Sequence, residues 1–201
     1  IETADGRVKG VAFTAPQGTQ HLACDMVVST IPLPVIAELF SPGLDPRLQE
    51  LAKGLRYRSL RLVYLVVDRP SITDYHWCYL LEDRFRCNRF SEQKNVAPEM
   101  LPKGQTVLCF EISCFKGDEV WNATDGQLLE IVRKDLDQLK LVKADEITEY
   151  FTGTLERAYP IYDLGFEEKI MGTLKGLCQF ENLLMIGRHG LYMNNSMDDN
   201  V

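Results

Sequence analysis

A glycine turn, preceded by an apolar strand and followed by amide and acidic side chains, lies near the C-terminal end of this 201-residue sequence. Leu183 to Ile186 reads as a short strand, Gly187-Arg188-His189-Gly190 as a turn and Asn194-Asn195 as a polar loop. Ser196-Met197-Asp198-Asp199 then reads as a helix start. Ser196 or Asn195 would cap it, and the dipole favours the acidic pair in its first turn. Glycine at 187 and 190 permits positive φ, or a close approach of backbone to a ligand. A strand end, a glycine turn and a helix start put several free N–H groups at one point, which makes a pocket for an anionic or electron-rich group. Arg188 supplies a cation beside it. The competing reading is a plain strand-turn-helix connection with a surface arginine.

Other candidates are scattered through the chain. Ser29-Thr30-Ile31-Pro32 ends an apolar strand, and its proline fits either a strand terminus or a loop beside a ligand. Tyr159-Pro160 and Tyr162-Asp163 place polar tips on apolar bodies. Such tyrosines line sugar or nucleotide pockets, or pack with the hydroxyl bonded to backbone. Arg89, Glu92, Lys94 and Asn95 form a polar set on a strand and the loop after it. There Arg89 or Lys94 could bind a phosphate or carboxylate of a substrate, with a solvated hairpin end as the alternative. His21, His76 and His189 have no carboxylate or Cys partner at metal-ligand spacing, so no metal is expected. No Ser-His-Asp arrangement can be read, and the catalytic residue is left open.

The elements that must position these groups follow from pattern. Arg7 to Phe13 and His21 to Val28 read as strands joined by a Pro/Gly hairpin, with another strand before Asp5-Gly6. Met26 to Ile31 is apolar on successive residues, as in a strand buried on both faces of a parallel sheet. Short helices are expected over 34–40 and from Asp45-Pro46, where an N-cap precedes a proline at the first helical position. From Ser59 the period is two, and further strands are expected at 76–81, 85–91, 105–113 and 147–157, in an antiparallel sheet. Thr124-Asp-Gly-Gln127 is a capping box. It opens a helix with the stripe Leu128, Val132, Leu136, Leu139, which should lie across that sheet. A second helix is expected over 166–178. The fold class is α+β, with parallel-type pieces at both ends and an antiparallel layer between them.

Composition sets bounds on partners. Twenty-two basic against 29 acidic residues give a net charge of −7 without a basic patch, which argues against nucleic-acid binding. The longest apolar run, Met26 to Phe40, is interrupted by two prolines and Glu38, so no transmembrane segment is expected. The six cysteines show no Cys-x-x-Cys spacing and sit mostly in apolar runs, as buried free thiols in a reducing cytoplasmic setting would. No signal peptide is read, but the sequence starts at Ile1 rather than Met, which leaves room for a preceding segment.

Gly187-Arg-x-Gly-x-Tyr-x-Asn-Asn-x-Met-Asp198 resembles the C-terminal flavin-contacting segment of the FAD-dependent amine-oxidase-like superfamily. Within it the chain is most similar to a protoporphyrinogen-oxidase-like and UDP-galactopyranose-mutase-like branch. Three further stretches agree in order: Asp25 to Pro34, Asn88 to Asn95, and Ala158 to Glu167. The resemblance implies that 1–56 and 158–201 are pieces of an FAD-binding domain and that 57–157 is an antiparallel substrate domain roofing the pocket. It implies FAD contacts from Gly187, Arg188, Asn195, Met197, Asp198, Ser29, Thr30 and Pro32. Substrate candidates are Arg89, Lys94, Asn95, Tyr159 and Tyr162. The Gly-x-Gly-x-x-Gly fingerprint that holds the pyrophosphate is absent from this stretch, so it reads as the C-terminal portion of a flavoprotein that does not hold FAD by itself.

The function implied is that of an FAD-dependent oxidoreductase of amine-oxidase-like type, acting on a small molecule such as an amine. One alternative is a flavin-dependent isomerase of a nucleotide sugar, with no net redox change. Another, of a different class, is a non-catalytic α+β module that binds a ligand or partner.

Overall fold

The protein is described here by a computed structural model that covers residues 1–196. In chain order its strands are β1 (Glu2–Ala4), β2 (Arg7–Ala15), β3 (Gly18–Ala23), β4 (Val27–Ser29), β5 (Tyr57–Val67), β6 (Trp77–Tyr79), β7 (Arg89–Glu92), β8 (Thr106–Cys114), β9 (Ile147–Pro160) and β10 (Leu183–Met185). The α-helices are α1 (Leu33–Ile36), α2 (Pro46–Lys53), α3 (Gln93–Val96), α4 (Asp125–Leu139), α5 (Phe166–Leu177) and α6 (Gly187–Gly190). The chain forms two compact units, one from Ile1–Tyr57 with Tyr159–Val201 and one from Arg58–Ala158. The mixture of helices with mainly antiparallel sheets is the expected α+β class.

In the first unit β1, β2 and β3 form an antiparallel sheet in that order. Asp5 and Gly6 turn β1 into β2 with φ of 52° and 69°, the doubly positive geometry of a type I′ hairpin. The strand expected over His21 to Val28 is two strands in two sheets. The buried Asn182 side chain explains the break: it accepts the Val8 N–H at 2.9 Å and donates to the carbonyls of Val8 (2.9 Å) and Asp25 (2.7 Å). Past that clamp, β4 pairs in parallel with β10, Val27 opposite Leu183 and Ser29 opposite Met185. The expectation that Met26 to Ile31 is buried on both faces does not hold within this chain. Ser29 is buried, but Met26 and Val28 are 55% and 53% exposed, because β4 has one neighbouring strand and its second face is uncovered among the described residues.

Asp45 caps α2 by accepting the Arg47 N–H at 2.8 Å, and Pro46 takes the first helical position. Helix α5 packs on α2 through glycines. A Cβ on Gly172 would stand 2.6 Å from Leu51 Cδ1, and one on Gly176 only 1.6 Å from Leu48 Cδ1. The unit's core gathers Val8, Leu33, Ile36, Leu48, Ala52, Leu177, Phe180 and Tyr192.

The second unit is a five-stranded sheet in the order β6-β7-β8-β5-β9. Pairs β6·β7, β7·β8 and β8·β5 are antiparallel. Ser59 Oγ donates to the Glu156 carbonyl and Thr148 Oγ1 to the Val66 carbonyl, so β9 runs antiparallel to β5 as well. One sheet face carries Val63, Leu65, Phe90, Leu108, Phe110 and Ile112. Against it lies α4, with Leu128, Val132 and Leu136 buried. Each such side chain contributes about 1.5–3 kcal/mol on burial. Helix α4 starts where the sequence places it: Gln127 N–H donates to Thr124 Oγ1, and Thr124 N–H to Gln127 Oε1 at 2.8 Å.

Candidate functional site

In the first unit the end of β4 and the turn after β10 meet backbone to backbone. The Ser29 carbonyl accepts the Ile186 N–H at 3.0 Å, and Ser29 Oγ accepts the Ile31 N–H at 3.2 Å. Gly187 has φ +74°, and a Cβ there would lie 3.7 Å from Thr30 Cγ2. A Cβ on Gly190 would come within 2.8 Å of the Ser29 carbonyl oxygen, closer than real Cβ atoms come. The two glycines are therefore needed for different reasons, one for its conformation and one for the approach of two backbones. Between them runs the single helical turn α6, whose first N–H groups have no intrahelical acceptor. The helix start in this region is thus at Gly187. The start expected at Ser196, with Met197 and Asp198, lies at or outside the edge of the described residues.

Side chains from the crossover stretches hold the segment after α6. Tyr192 is buried at φ +55°. Its hydroxyl reaches the carbonyls of Arg56 and Ile161 (2.9 Å to the latter) and accepts the Ile161 N–H at 3.3 Å. Tyr57 meets the Tyr192 ring edge-on, centroids 5.0 Å apart, and donates to the His189 carbonyl at 3.3 Å. Tyr162 donates to the Tyr192 carbonyl at 3.4 Å and accepts the Asn194 N–H at 2.7 Å. Arg188 donates from Nε to the Asn195 carbonyl at 3.1 Å and stacks over Tyr159, 5.0 Å from the ring centroid. Burial raises the Tyr192 hydroxyl above its ordinary pKa, so it stays protonated as a donor.

The structure thus brings Ser29, Thr30, Gly187, Arg188, Asn195, Tyr159 and Tyr162 into one region. Pro32 follows them as the residue preceding α1. Tyr159 and Tyr162, candidates for substrate, stand among the candidates for cofactor. Tyr57 is not singled out in the sequence, and Tyr192 enters there only as a member of the Gly187–Asp198 motif. The positive φ of Tyr192, in a loop with two Asn, has no local signature, and Tyr57 reads as one more strand aromatic.

The remaining candidates lie in the second unit. Lys94 Nζ donates to the carbonyls of Gln105 (2.8 Å) and Pro102 (3.3 Å). Asn95 Nδ2 donates to those of Thr73 and Tyr75, both at 2.9 Å. Glu92, fully buried, accepts from Ile72 N–H, Thr73 N–H, Thr73 Oγ1 and Thr106 Oγ1 at 2.7–2.9 Å. These three tie the loops at 72–75 and 102–106 to the sheet. Arg89 points to the face away from α4 and places Nε and Nη2 on Glu111 Oε1 at 2.9 and 2.6 Å. No group of three His, Cys, Asp or Glu that could hold a metal occurs among the described residues.

Residues 1–160 match the family described as flavin containing amine oxidoreductase. The chain belongs to that family. A flavin is therefore the cofactor its members share, in agreement with the resemblance read from the motifs. No curated protein matches the chain. Among solved structures the family member is similar to reduced UDP-galactopyranose mutase, at TM-score 0.71 and 18% identity over 89% of this chain and 38% of that one. It is also similar to a candidate protoporphyrinogen oxidase from Exiguobacterium sp. 255-15, at TM-score 0.65 and 19% identity over 94% and 41%. An oxidoreductase from Methanosarcina mazei gives 0.50 and 17% over 77% and 36%. At these identities the likeness is one of fold. The chain spans about two fifths of the length of these structures.

Proposed function

We propose that these residues form the substrate-sheet and flavin-contacting portion of an FAD-dependent oxidoreductase of amine-oxidase type. The first unit would be part of its FAD-binding domain and the second its substrate domain. One observation carries the reading: Gly187 and Gly190 lay bare backbone against Ser29 and Thr30, in a chain whose family binds flavin. That junction fits the electron-rich edge of a flavin ring, because the N–H groups in the first turn of a helix favour negative charge. It does not fit a dinucleotide pyrophosphate, for which the chain carries no glycine fingerprint.

Ser29, Thr30, Pro32, Gly187, Arg188 and Asn195 would hold the ring, with Met197 and Asp198 beyond the described residues. The chemistry that a bound flavin supplies is acceptance of a hydride, from a C–N or C–C bond of a small molecule. The chain's own contribution is to fix the amide edge. Tyr192 and Tyr162 lock the backbone of 192–194, and Arg188 closes the loop onto Asn195 while its positive charge stays beside α6. A non-catalytic module has no observation in its favour.

The test is an absorption spectrum with the flavin identified after acid release. The parent chain that contains these residues is expected to purify with FAD, and Arg188→Ala in it to lower flavin content several-fold. The 201 residues alone are expected to lose added FAD on desalting. A parent that purifies colourless and takes up no FAD would sink the reading.

A further inference from the structure

Tyr57 opens β5 and is buried, at 9% exposure. Its backbone is anchored one residue back. There the Arg56 carbonyl accepts the Ile161 N–H at 2.9 Å and the Tyr192 hydroxyl as well. The Tyr57 ring stands against two residues that follow β10. Tyr192 meets it edge-on, centroids 5.0 Å apart at 81°, and His189 of α6 lies 5.8 Å away at 48°. Rings in edge-on and tilted arrangements attract one another beyond the area they bury. The Tyr57 hydroxyl reaches the His189 carbonyl at 3.3 Å, which is long for an O–H···O bond. The ring therefore contributes more to this contact than the hydroxyl does.

What the ring meets is the turn itself. Four residues are too few to keep a helical turn without outside contacts. Inside and just after α6, Leu191 N–H donates to the Gly187 carbonyl and Met193 N–H to the Arg188 carbonyl, both at 2.9 Å. The approach of Gly190 to the Ser29 carbonyl sets where the turn sits. Glycine has no side chain with which to set its rotation. Between the two glycines stand Arg188, which reaches forward to Asn195 and Tyr159, and His189, whose carbonyl and ring both meet Tyr57.

We propose that Tyr57 is a positioning residue for the flavin: its ring sets the rotation of the Gly187–Gly190 turn, and so the direction from which that backbone meets the cofactor. The link to flavin rests on the function proposed above; the hold on the turn does not. Tyr57 acts through His189 and Tyr192 and need not touch the cofactor. A turn that rotates freely stabilises the reduced flavin less.

The test compares three variants of the parent chain. Tyr57→Leu removes the ring, and Tyr57→Phe keeps it while losing only the long hydroxyl bond. Phe180→Leu truncates another ring of the same core, one that stacks on Phe40 at 5.1 Å. Tyr57→Leu is expected to disfavour reduced flavin about tenfold, a fall of about 30 mV in the two-electron potential. It is also expected to speed hydrogen exchange of the Leu191 and Met193 N–H groups about tenfold. Tyr57→Phe is expected to stay within about twofold of the unaltered chain in both readings. Phe180→Leu is expected to lower the urea midpoint and to move neither reading. The proposal falls if Tyr57→Leu leaves the potential of bound FAD unmoved. It falls too if Phe180→Leu moves that potential as far, since the ring then only stabilises the unit, or if exchange at 191 and 193 is unchanged in Tyr57→Leu. A parent that takes up no FAD sinks the function proposed above instead, and exchange in that parent still decides whether Tyr57 holds the turn.

Discussion

Arg188 lies over Tyr159 with its guanidinium carbon 5.0 Å from the ring centroid, and the same guanidinium donates to the Asn195 carbonyl. Stack and fork together close the 188–195 loop. Lysine keeps the charge but loses both the plane and the fork. Arg188→Lys and Tyr159→Leu are each expected to speed amide hydrogen exchange in residues 191–196 by about tenfold, a loss near 1.4 kcal/mol. Unchanged exchange in both variants would mean that the stack does not hold the loop.

Tyr192→Phe removes a hydroxyl that ties Arg56 and Ile161 to the C-terminal segment while leaving the buried ring in place. The Ile161 N–H then loses an acceptor. The expected cost is about 1–2 kcal/mol in the first unit, read as a lower urea midpoint with unchanged slope. Tyr162→Phe, at an exposed residue, is expected to cost about 1 kcal/mol or less while exposing the Asn194 N–H to exchange.

Helix glycines separate packing from propensity. At Gly176 any side chain runs into Leu48, so Gly176→Val is expected to destabilise by about 2 kcal/mol, overpacking exceeding the propensity gain. At Gly126, in the first turn of α4, a Cβ meets nothing within 4 Å. Gly126→Ala is expected to stabilise by up to about 1 kcal/mol. Urea unfolding of the two variants should move the midpoint in opposite directions.

Burial would raise the Glu92 carboxyl, but hydrogen bonds from Thr106 and Thr73 and from the Thr73 and Ile72 N–H groups outweigh it and hold its pKa below the ordinary value. The unfolded chain therefore binds a proton before the folded one does. The stability from this group is complete above the ordinary glutamate pKa, about 4.3, and is lost as pH falls through the lower folded value. Glu92→Gln is expected to cost about 1–3 kcal/mol at pH 7 and to flatten the loss of stability below pH 4.5. An unaltered pH profile in that variant would contradict the assignment.

Local signals were readable where local forces decide. The Thr124–Gln127 box, the Asp45-Pro46 start and the stripe of α4 appear as expected because caps and 3.6-residue periods involve neighbours in sequence. The His21 to Val28 strand divided because Asn182, more than 150 residues away, reaches its middle and holds Asp25. The turn after β10 closes on the end of β4 because Gly190 permits its backbone to touch Ser29. Nothing near either stretch in sequence announces those partners.

The sequence by itself determined the family, the α+β class and the glycines on which the turn after β10 depends, since these rest on residue type and short spacing. Only the tertiary structure decided what each polar side chain does. Lys94 and Asn95 read as ligand groups or as part of a solvated hairpin end, and packing places them on backbone carbonyls 8 to 22 residues away. Tyr159 and Tyr162 read either as pocket-lining tyrosines or as packed ones bonded to backbone, and folding sets Tyr159 under Arg188 and Tyr162 on the backbone at 192 and 194. A donor takes the nearest acceptor that folding leaves beside it, and which one that is depends on contacts between segments far apart in the chain.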